Sequence, residues 1–104
     1  MTEQYDYVIV GAGTAGCVLA NRLTACGKYT VCLLEAGPPD WNPMIHIPAG
    51  FMKTIANPSV NWLYQSEPCP GTNGRIIPMP RGKVIGGSSS INGLIFSRGQ
   101  KMDF

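Results

Sequence analysis

An α/β fold is predicted by three observations on residues 1–37. The apolar run Tyr7-Val8-Ile9-Val10 leads straight into a glycine turn, Gly11-Ala12-Gly13-Thr14-Ala15-Gly16. A helix-forming stretch follows, and a second apolar run ends on an acidic residue, Glu35. Strand, turn, helix, strand and carboxylate in this order make the N-terminal βαβ unit of a Rossmann-like, dinucleotide-binding domain. Beyond it the chain is expected to run through a proline-rich, loop-rich cover segment (38–80) and then a Gly/Ser turn into a helix (81–104).

Each element has its own warrant. Tyr7 to Val10 carries the β-branched and aromatic residues that suit a pleated strand. Thr14 to Ala25 carries helix formers, with Ala15, Val18, Leu19 and Leu23 spaced along one helix face. Gly27 is a natural helix stop, and Thr30 to Leu34 is again strand-like. The three glycines of the turn have separate tasks. Gly11 permits the tight exit from the strand, Gly13 lets backbone amides approach a pyrophosphate, and Gly16 lets helix and strand pack closely. A diphosphate then meets the free N–H groups and positive dipole end of the helix. Glu35 falls about 20 residues past the turn, where a ribose-binding carboxylate belongs.

A chain of 104 residues suffices for one small domain. Two strands and one helix do not form a stable doubly wound sheet, so the unit is expected to be incomplete on its own, with the remainder of a longer polypeptide and its substrate domain absent. The ending Lys101-Met102-Asp103-Phe104, read as lacking a turn or cap, fits that expectation. Eight basic and six acidic residues give a net charge of +2 without charge runs, which offers no case for nucleic acid or an acidic membrane surface. Arg81, Lys83 and Arg98 cluster late in the chain, either as ordinary surface charge or as groups near cofactor phosphates.

The four cysteines, Cys17, Cys26, Cys32 and Cys69, show no metal-ligand spacing, so no metal site is expected. A reduced, cytoplasmic chain fits them best. The first strand begins too early for a signal peptide, and no apolar run approaches the roughly 18 residues of a membrane span.

All nine prolines lie between Pro38 and Pro80, and helical periodicity is lost there, as expected of surface loop or an extended cover. Within it, Asn61 to Glu67 is a candidate strand with Trp62 and Tyr64 on one side, and Arg75 to Pro78 a second. Pro70-Gly71-Thr72-Asn73-Gly74 between them is a strong turn signal. The last third holds the second glycine motif, Arg81-Gly82-Lys83-Val84-Ile85-Gly86-Gly87-Ser88-Ser89-Ser90-Ile91-Asn92-Gly93. Gly86-Gly87 makes a sharp turn, and the serines offer N-cap oxygens and hydroxyl donors to a helix through Ile91 to Phe96. Apolar residues on both sides argue against a flexible linker.

The second motif resembles the first signature of the glucose-methanol-choline (GMC) oxidoreductases, a family of flavoproteins. It matches at Gly82, Lys83, Ile85, Gly86, Gly87, Ser88, Ser89, Ile91, Asn92, Phe96 and Gly99; the signature's last position lies just beyond Phe104. The run Tyr7 to Gly16, the strand end Leu34-Glu35-Ala36-Gly37 and the segment Asn61-Trp62-Leu63-Tyr64 resemble the same family in the same order. Nearly the whole chain is covered.

That resemblance implies FAD rather than NAD. Gly11, Gly13 and the amides of Thr14 and Ala15, with Gly16 behind them, would hold the pyrophosphate. Glu35, with Ala36 beside it, would hold the adenosine ribose hydroxyls. The stretch Arg81 to Gly87, with Gly82 and Ser88, would run along the cofactor, Val84 touching it. Asn92, Gly93, Leu94 and Ile95 would lie by the flavin ring, and Trp62 and Tyr64 either line the path to it, as the resemblance suggests for Trp62, or fill core space. Some members attach FAD through a histidine just before this asparagine; Ile91 stands there, so the FAD is expected to be noncovalent.

The activity implied is oxidation of an alcohol to an aldehyde by hydride transfer to the flavin, as in choline-dehydrogenase and aryl-alcohol type members. The family also contains a lyase and a light-driven decarboxylase, and a non-catalytic nucleotide-binding remnant is a further reading. The family's catalytic base is a histidine far toward the C-terminus. The single histidine here, His46, does not match that position and is read as structural, so no catalytic residue is assigned. Replacing Gly13 by valine is expected to abolish FAD retention, because a side chain would stand where the diphosphate approaches; stoichiometric flavin in the purified variant would refute the phosphate-site assignment.

Overall fold

The computed structural model describes residues 3–103. Strand β1 (Tyr7–Val10) and strand β2 (Val31–Leu34) pair in parallel, from Tyr7 opposite Val31 to Val10 opposite Leu34, and helix α1 (Thr14–Thr24) is the crossover between them. The helix ends within one residue of the predicted limit. Gly27, at φ +68°, turns the chain and donates its N–H to the Thr24 carbonyl at 2.9 Å.

The two strands start together because Asp6 and Thr30 grip each other. One Asp6 carboxylate oxygen accepts from the Thr30 N–H at 2.7 Å and its hydroxyl at 2.8 Å, while the Asp6 N–H donates to the Thr30 hydroxyl at 3.1 Å.

The proline-rich segment is more helical than its composition suggests. Short helices α2 (Pro43–His46) and α3 (Phe51–Thr54) occupy it, joined by a 3-10 turn at Pro48–Gly50. Pro43 and Pro48 sit in first turns, where the missing N–H has no helical partner to lose. The Asn42 side chain caps α2 by accepting from the Met44 N–H at 3.0 Å.

Downstream, β3 (Tyr64–Gln65) and β4 (Pro78–Met79) form an antiparallel pair. The turn between them carries Asn73 at φ +57° and Gly74 at φ +71°. Hydrogen bonds extend the same register well past the strands. The Ser66 N–H donates to Ile77, Trp62 to Arg81 and Lys83 to Val60, with Asn61 bridged to Gly82. Only Leu63, at φ +55°, and its opposite residue Pro80, which has no N–H, interrupt this ladder. The regular strands are shorter than the expected Asn61–Glu67, and the partner lies at Pro78–Met79, past most of the expected Arg75–Pro78.

Two expectations are corrected. No helix runs from Ile91 to Phe96: the turn Gly87–Ser90 is 3-10 and stops at Ile91. The Asn92 side chain takes the Leu94 N–H at 3.0 Å, and Leu94 adopts φ +61°, so a local side-chain turn replaces the helical bond. The serines do not cap a helix either; Ser89 and Ser90 donate their hydroxyls back to the Gly86 and Ile85 carbonyls. The second correction concerns the end of the chain. Lys101–Asp103 forms a 3-10 turn in which the Asp103 carboxylate accepts from the Gln100 N–H at 2.8 Å. Phe104, and Met1 and Thr2 before the first strand, lie outside the described residues.

The buried core is small. Val60, Val84 and Ile91 form it, with Ile45 packed against them, so it joins the cover segment to the second glycine motif. The parallel strands are barely covered: Val8 is 60% exposed and Val10 83%. The surface is 8249 Å², against about 5,700 Å² for a compact protein of this size. The radius of gyration is 17.1 Å, against about 13 Å. Parallel sheets are normally buried on both faces, and these two strands are not; exposed apolar side chains such as Trp41, Ile95, Phe96 and Met102 add to the surface elsewhere.

Thr30 holds the Asp6 carboxyl below the ordinary aspartate value of 3.8, its backbone N–H contributing most and its hydroxyl next. A depressed carboxyl stabilises the fold above that value and loses its contribution as pH falls through the folded-state pKa. Asp6→Asn is therefore expected to lower stability at neutral pH and to shrink the difference from wild type below about pH 3.8, as thermal melts across an acid series measure.

Candidate nucleotide-binding site

The first glycine turn is shaped by contacts on one side and space on the other. The Gly11 N–H donates to Leu34 at 2.7 Å, continuing the sheet, and φ of +96° then swings the chain away. A Cβ added at Gly11 or Gly13 would meet nothing within 4 Å, whereas one at Gly16 would collide with the Gly11 carbonyl and approach Ile9 Cγ2 to 3.3 Å. Two glycines thus leave an open cradle, and the third lets α1 lie against β1. Gly13 caps α1 with no side-chain bond, no acidic residue occupies the first turn, and the Cys17 N–H to Gly13 carbonyl bond closes it at 2.9 Å. The Thr14, Ala15 and Gly16 amides precede that bond and form the positive end of an eleven-residue helix.

Glu35 does more than the sequence suggested. One carboxylate oxygen accepts from the Ala12 N–H at 2.7 Å and the other from the Gly37 N–H at 2.9 Å. The half-buried side chain ties the tip of the glycine turn to the exit of β2. Each oxygen keeps a lone pair for a further donor.

The second glycine motif is seated directly on the first. The Gly86 N–H donates to the Ala12 carbonyl at 2.7 Å, and Gly13 and Gly86 form a parallel bridge. Gly86 and Gly87 have φ of +91° and +58°, and a Cβ on Gly87 would lie 2.8 Å from the Gly13 Cα. The second motif can come this close only because position 87 carries no side chain. Within the motif the Gly82 N–H donates to the Ser88 hydroxyl at 3.1 Å. Gly37 packs against the Lys83 carbonyl so tightly that it has no room for a Cβ.

Asn61, buried at 2% exposure, fixes the opposite wall. It donates to the Ile55 carbonyl at 2.6 Å and accepts from the Leu63 and Arg81 N–H groups at 2.9 and 3.1 Å. The sequence places it at the start of a strand and in the family-like segment Asn61–Tyr64, without showing that its side chain holds the wall.

Between these walls lies a cleft of about 640 Å³. It brings together Gly11, Gly13, Glu35, Ala36, Trp62, Tyr64, Arg81, Gly82, Gly87 and Ser88 of the residues expected from the sequence, and adds Val10 and Leu34. Val10 and Leu34 end the two parallel strands, and ligands of open α/β sheets bind outside such carboxyl ends. Thr14 and Ala15 contribute helix-start amides, and Gly16 contributes packing. Val84 is fully buried in the core. Asn92, Gly93, Leu94 and Ile95 lie outside the cleft; Asn92 and Leu94 face a small separate pocket with Met44, Ile45 and Phe51, and Ile95 is 91% exposed. His46 is likewise apart from the cleft, hydrogen-bonded through Nε2 to the Asp40 carbonyl at 2.6 Å.

A side-chain-free cradle at a helix start, a carboxylate at the end of the next strand and a second glycine turn across the cleft define a dinucleotide-binding domain. Residues 5–104 match the GMC oxidoreductase family, to which the chain belongs. It is 53% identical over 100 residues to an alcohol dehydrogenase [acceptor] of Pseudomonas putida, covering 96% of this chain and 18% of that protein. It is 44% identical over 111 residues to the mitochondrial choline dehydrogenase of Mus musculus, covering 98% and 18%. The crystal structure of pyridoxine 4-oxidase from Mesorbium loti superposes with a TM-score of 0.91 at 40% identity, over 97% of this chain and 20% of that one. The chain thus spans about a fifth of the length of the relatives it matches. The family is FAD-dependent, and the open cradle beside an uncapped helix start fits the diphosphate of that cofactor.

Glu35→Ala is expected to weaken FAD binding by roughly 1.5 to 3 kcal/mol and to speed amide exchange at Ala12 and Gly37 in the ligand-free protein. Glu35→Gln, which retains one acceptor, is expected to fall between the two in both titration calorimetry and exchange.

Proposed function

We propose that this chain is the FAD-binding start of an oxidoreductase that oxidises an alcohol to an aldehyde by hydride transfer to flavin. The observation that carries the reading is the junction of the two glycine motifs, which encloses a cleft ending at Glu35. Bound FAD would supply the hydride acceptor. The amides of Thr14 and Ala15 and the cradle at Gly11 and Gly13 bind the diphosphate, and the dipole of α1 adds to its attraction. Glu35 accepts hydrogen bonds from the ribose hydroxyls with its remaining lone pairs and disfavours a 2′-phosphate by charge. Arg81 supplies positive charge to the same cleft, with Gly82, Gly87 and Ser88 forming its floor. Trp62 and Tyr64 give it an aromatic wall.

Asn92 to Ile95 are proposed to approach the flavin ring, their exposure leaving them free to be covered by other parts of the domain. The proton of the alcohol is taken by a group outside this chain; His46 neither lines the cleft nor lies beside the residues that do. Ile91 is buried in the core and offers no nucleophile, which supports noncovalent attachment. The relatives' names, an alcohol dehydrogenase and a choline dehydrogenase, support an alcohol as the substrate class. Four free thiols, two of them exposed, support a reducing compartment, proposed here as the cytoplasm; among the described residues no helix is long and apolar enough to cross a membrane.

Acid denaturation of the flavoprotein containing this chain is expected to release all yellow colour into the protein-free supernatant. Colour retained in the pellet would contradict noncovalent attachment, and a colourless sample would remove FAD from the assignment.

A further inference from the structure

Across the antiparallel ladder, Trp62 stands opposite Arg81, which puts Tyr64 and Lys83 on the same face as diagonal or second neighbours. The Trp62 and Tyr64 rings stack at 5.8 Å with 3° between their planes. The Lys83 ammonium sits over the Trp62 ring, 4.8 Å from its centroid. Of these four residues Trp62, Tyr64 and Arg81 line the nucleotide cleft, and Lys83 does not.

Lys83 is held at its root from both directions. Its N–H donates to the Val60 carbonyl at 2.8 Å, and its own carbonyl rests against Gly37. Among the described residues no carboxylate forms a salt bridge with it. Its charge is therefore directed at an aromatic face, whose quadrupole attracts a cation. Trp62 is 41% exposed and Tyr64 53%, so neither ring is fixed by burial.

We propose that Lys83 is a positioning residue that locks the Trp62 indole, and through it the Trp62–Tyr64 stack, in place as the aromatic wall of the FAD cleft. Arg81 lines the cleft and Lys83 does not, so the charge of Lys83 serves the ring rather than the cofactor phosphates. The inference rests on the FAD reading above and adds to it a reason for a basic residue at this place in the second glycine motif.

The test is a double-mutant cycle in the complete flavoprotein, with FAD affinity measured by titration of the ligand-free form. Lys83→Met keeps the aliphatic stem and removes the charge; it is expected to weaken FAD binding roughly two- to fivefold, the size of an exposed cation–π contact. Lys83→Arg is expected to restore binding to within about twofold, since a guanidinium also stacks on an indole. In a Trp62→Leu background, Lys83→Met is expected to cause no further loss. An equal loss in both backgrounds would show that Lys83 acts on the cofactor directly and overturn the proposal, as would unchanged affinity in Lys83→Met alone. Failure of the unsubstituted protein to bind FAD would defeat the cofactor reading itself, and the positioning role with it.

Discussion

Everything distinctive about this chain depends on two backbones being able to touch. Gly87 lies so close to Gly13 that a Cβ on Gly87 would come within 2.8 Å of the Gly13 Cα, and beside that contact the Gly86 N–H donates to the Ala12 carbonyl. Hydrogen bonding sets the orientation, and the absence of Cβ atoms sets the separation. Without this contact the βαβ unit and the Gly/Ser turn would be separate surface features. With it they become two sides of one cleft, floored by backbone rather than by side chains. The glycines around it differ in tolerance: a Cβ at Gly11 or Gly13 would stand in open space, while at Gly16, Gly37 and Gly82 it would strike neighbouring backbone.

Around that junction, polar groups do the holding that a larger apolar core would do elsewhere. Glu35 joins the turn to the exit of β2, Asn61 joins the cover segment to Arg81, and Asp6 joins the starts of the two strands. Each is a side chain satisfying backbone N–H groups outside regular helix or sheet, which would otherwise be left without partners. The apolar cluster of Val60, Val84, Ile91 and Ile45 is small and lies behind the cleft. The cleft is thus framed by directional bonds, suited to holding a ligand in a defined pose, and the exposed strand faces carry little of that work.

The parts legible in the sequence were those governed by local rules. Tyr7 to Val10, α1, β2 and the hairpin turn after Cys69 each depend on residues near one another in the chain. The errors came where local rules conflict. The loss of helical periodicity over 38–80 hides α2 and the following turn, because Pro43 and Pro48 open helical turns, and the helix expected from Ile91 to Phe96 is absent because Asn92 captures the Leu94 N–H. The candidate cleft was legible in part, because both glycine motifs advertise themselves. Their contact was not, since nothing in either motif states that the other lies against it. Nor could the engagement of Glu35 with Ala12 be read, because it depends on the shape of a turn far away in sequence.

The Gly13–Gly86 junction also closes a long loop, since the whole cover segment intervenes. Closing such a loop costs conformational entropy that local elements do not pay. A cofactor touching both glycine turns favours the closed form by mass action, in proportion to how far its concentration exceeds the dissociation constant. On the proposed reading of the cleft, the cofactor is then also a clamp: its supply sets how much of the chain is held with the two distant turns together.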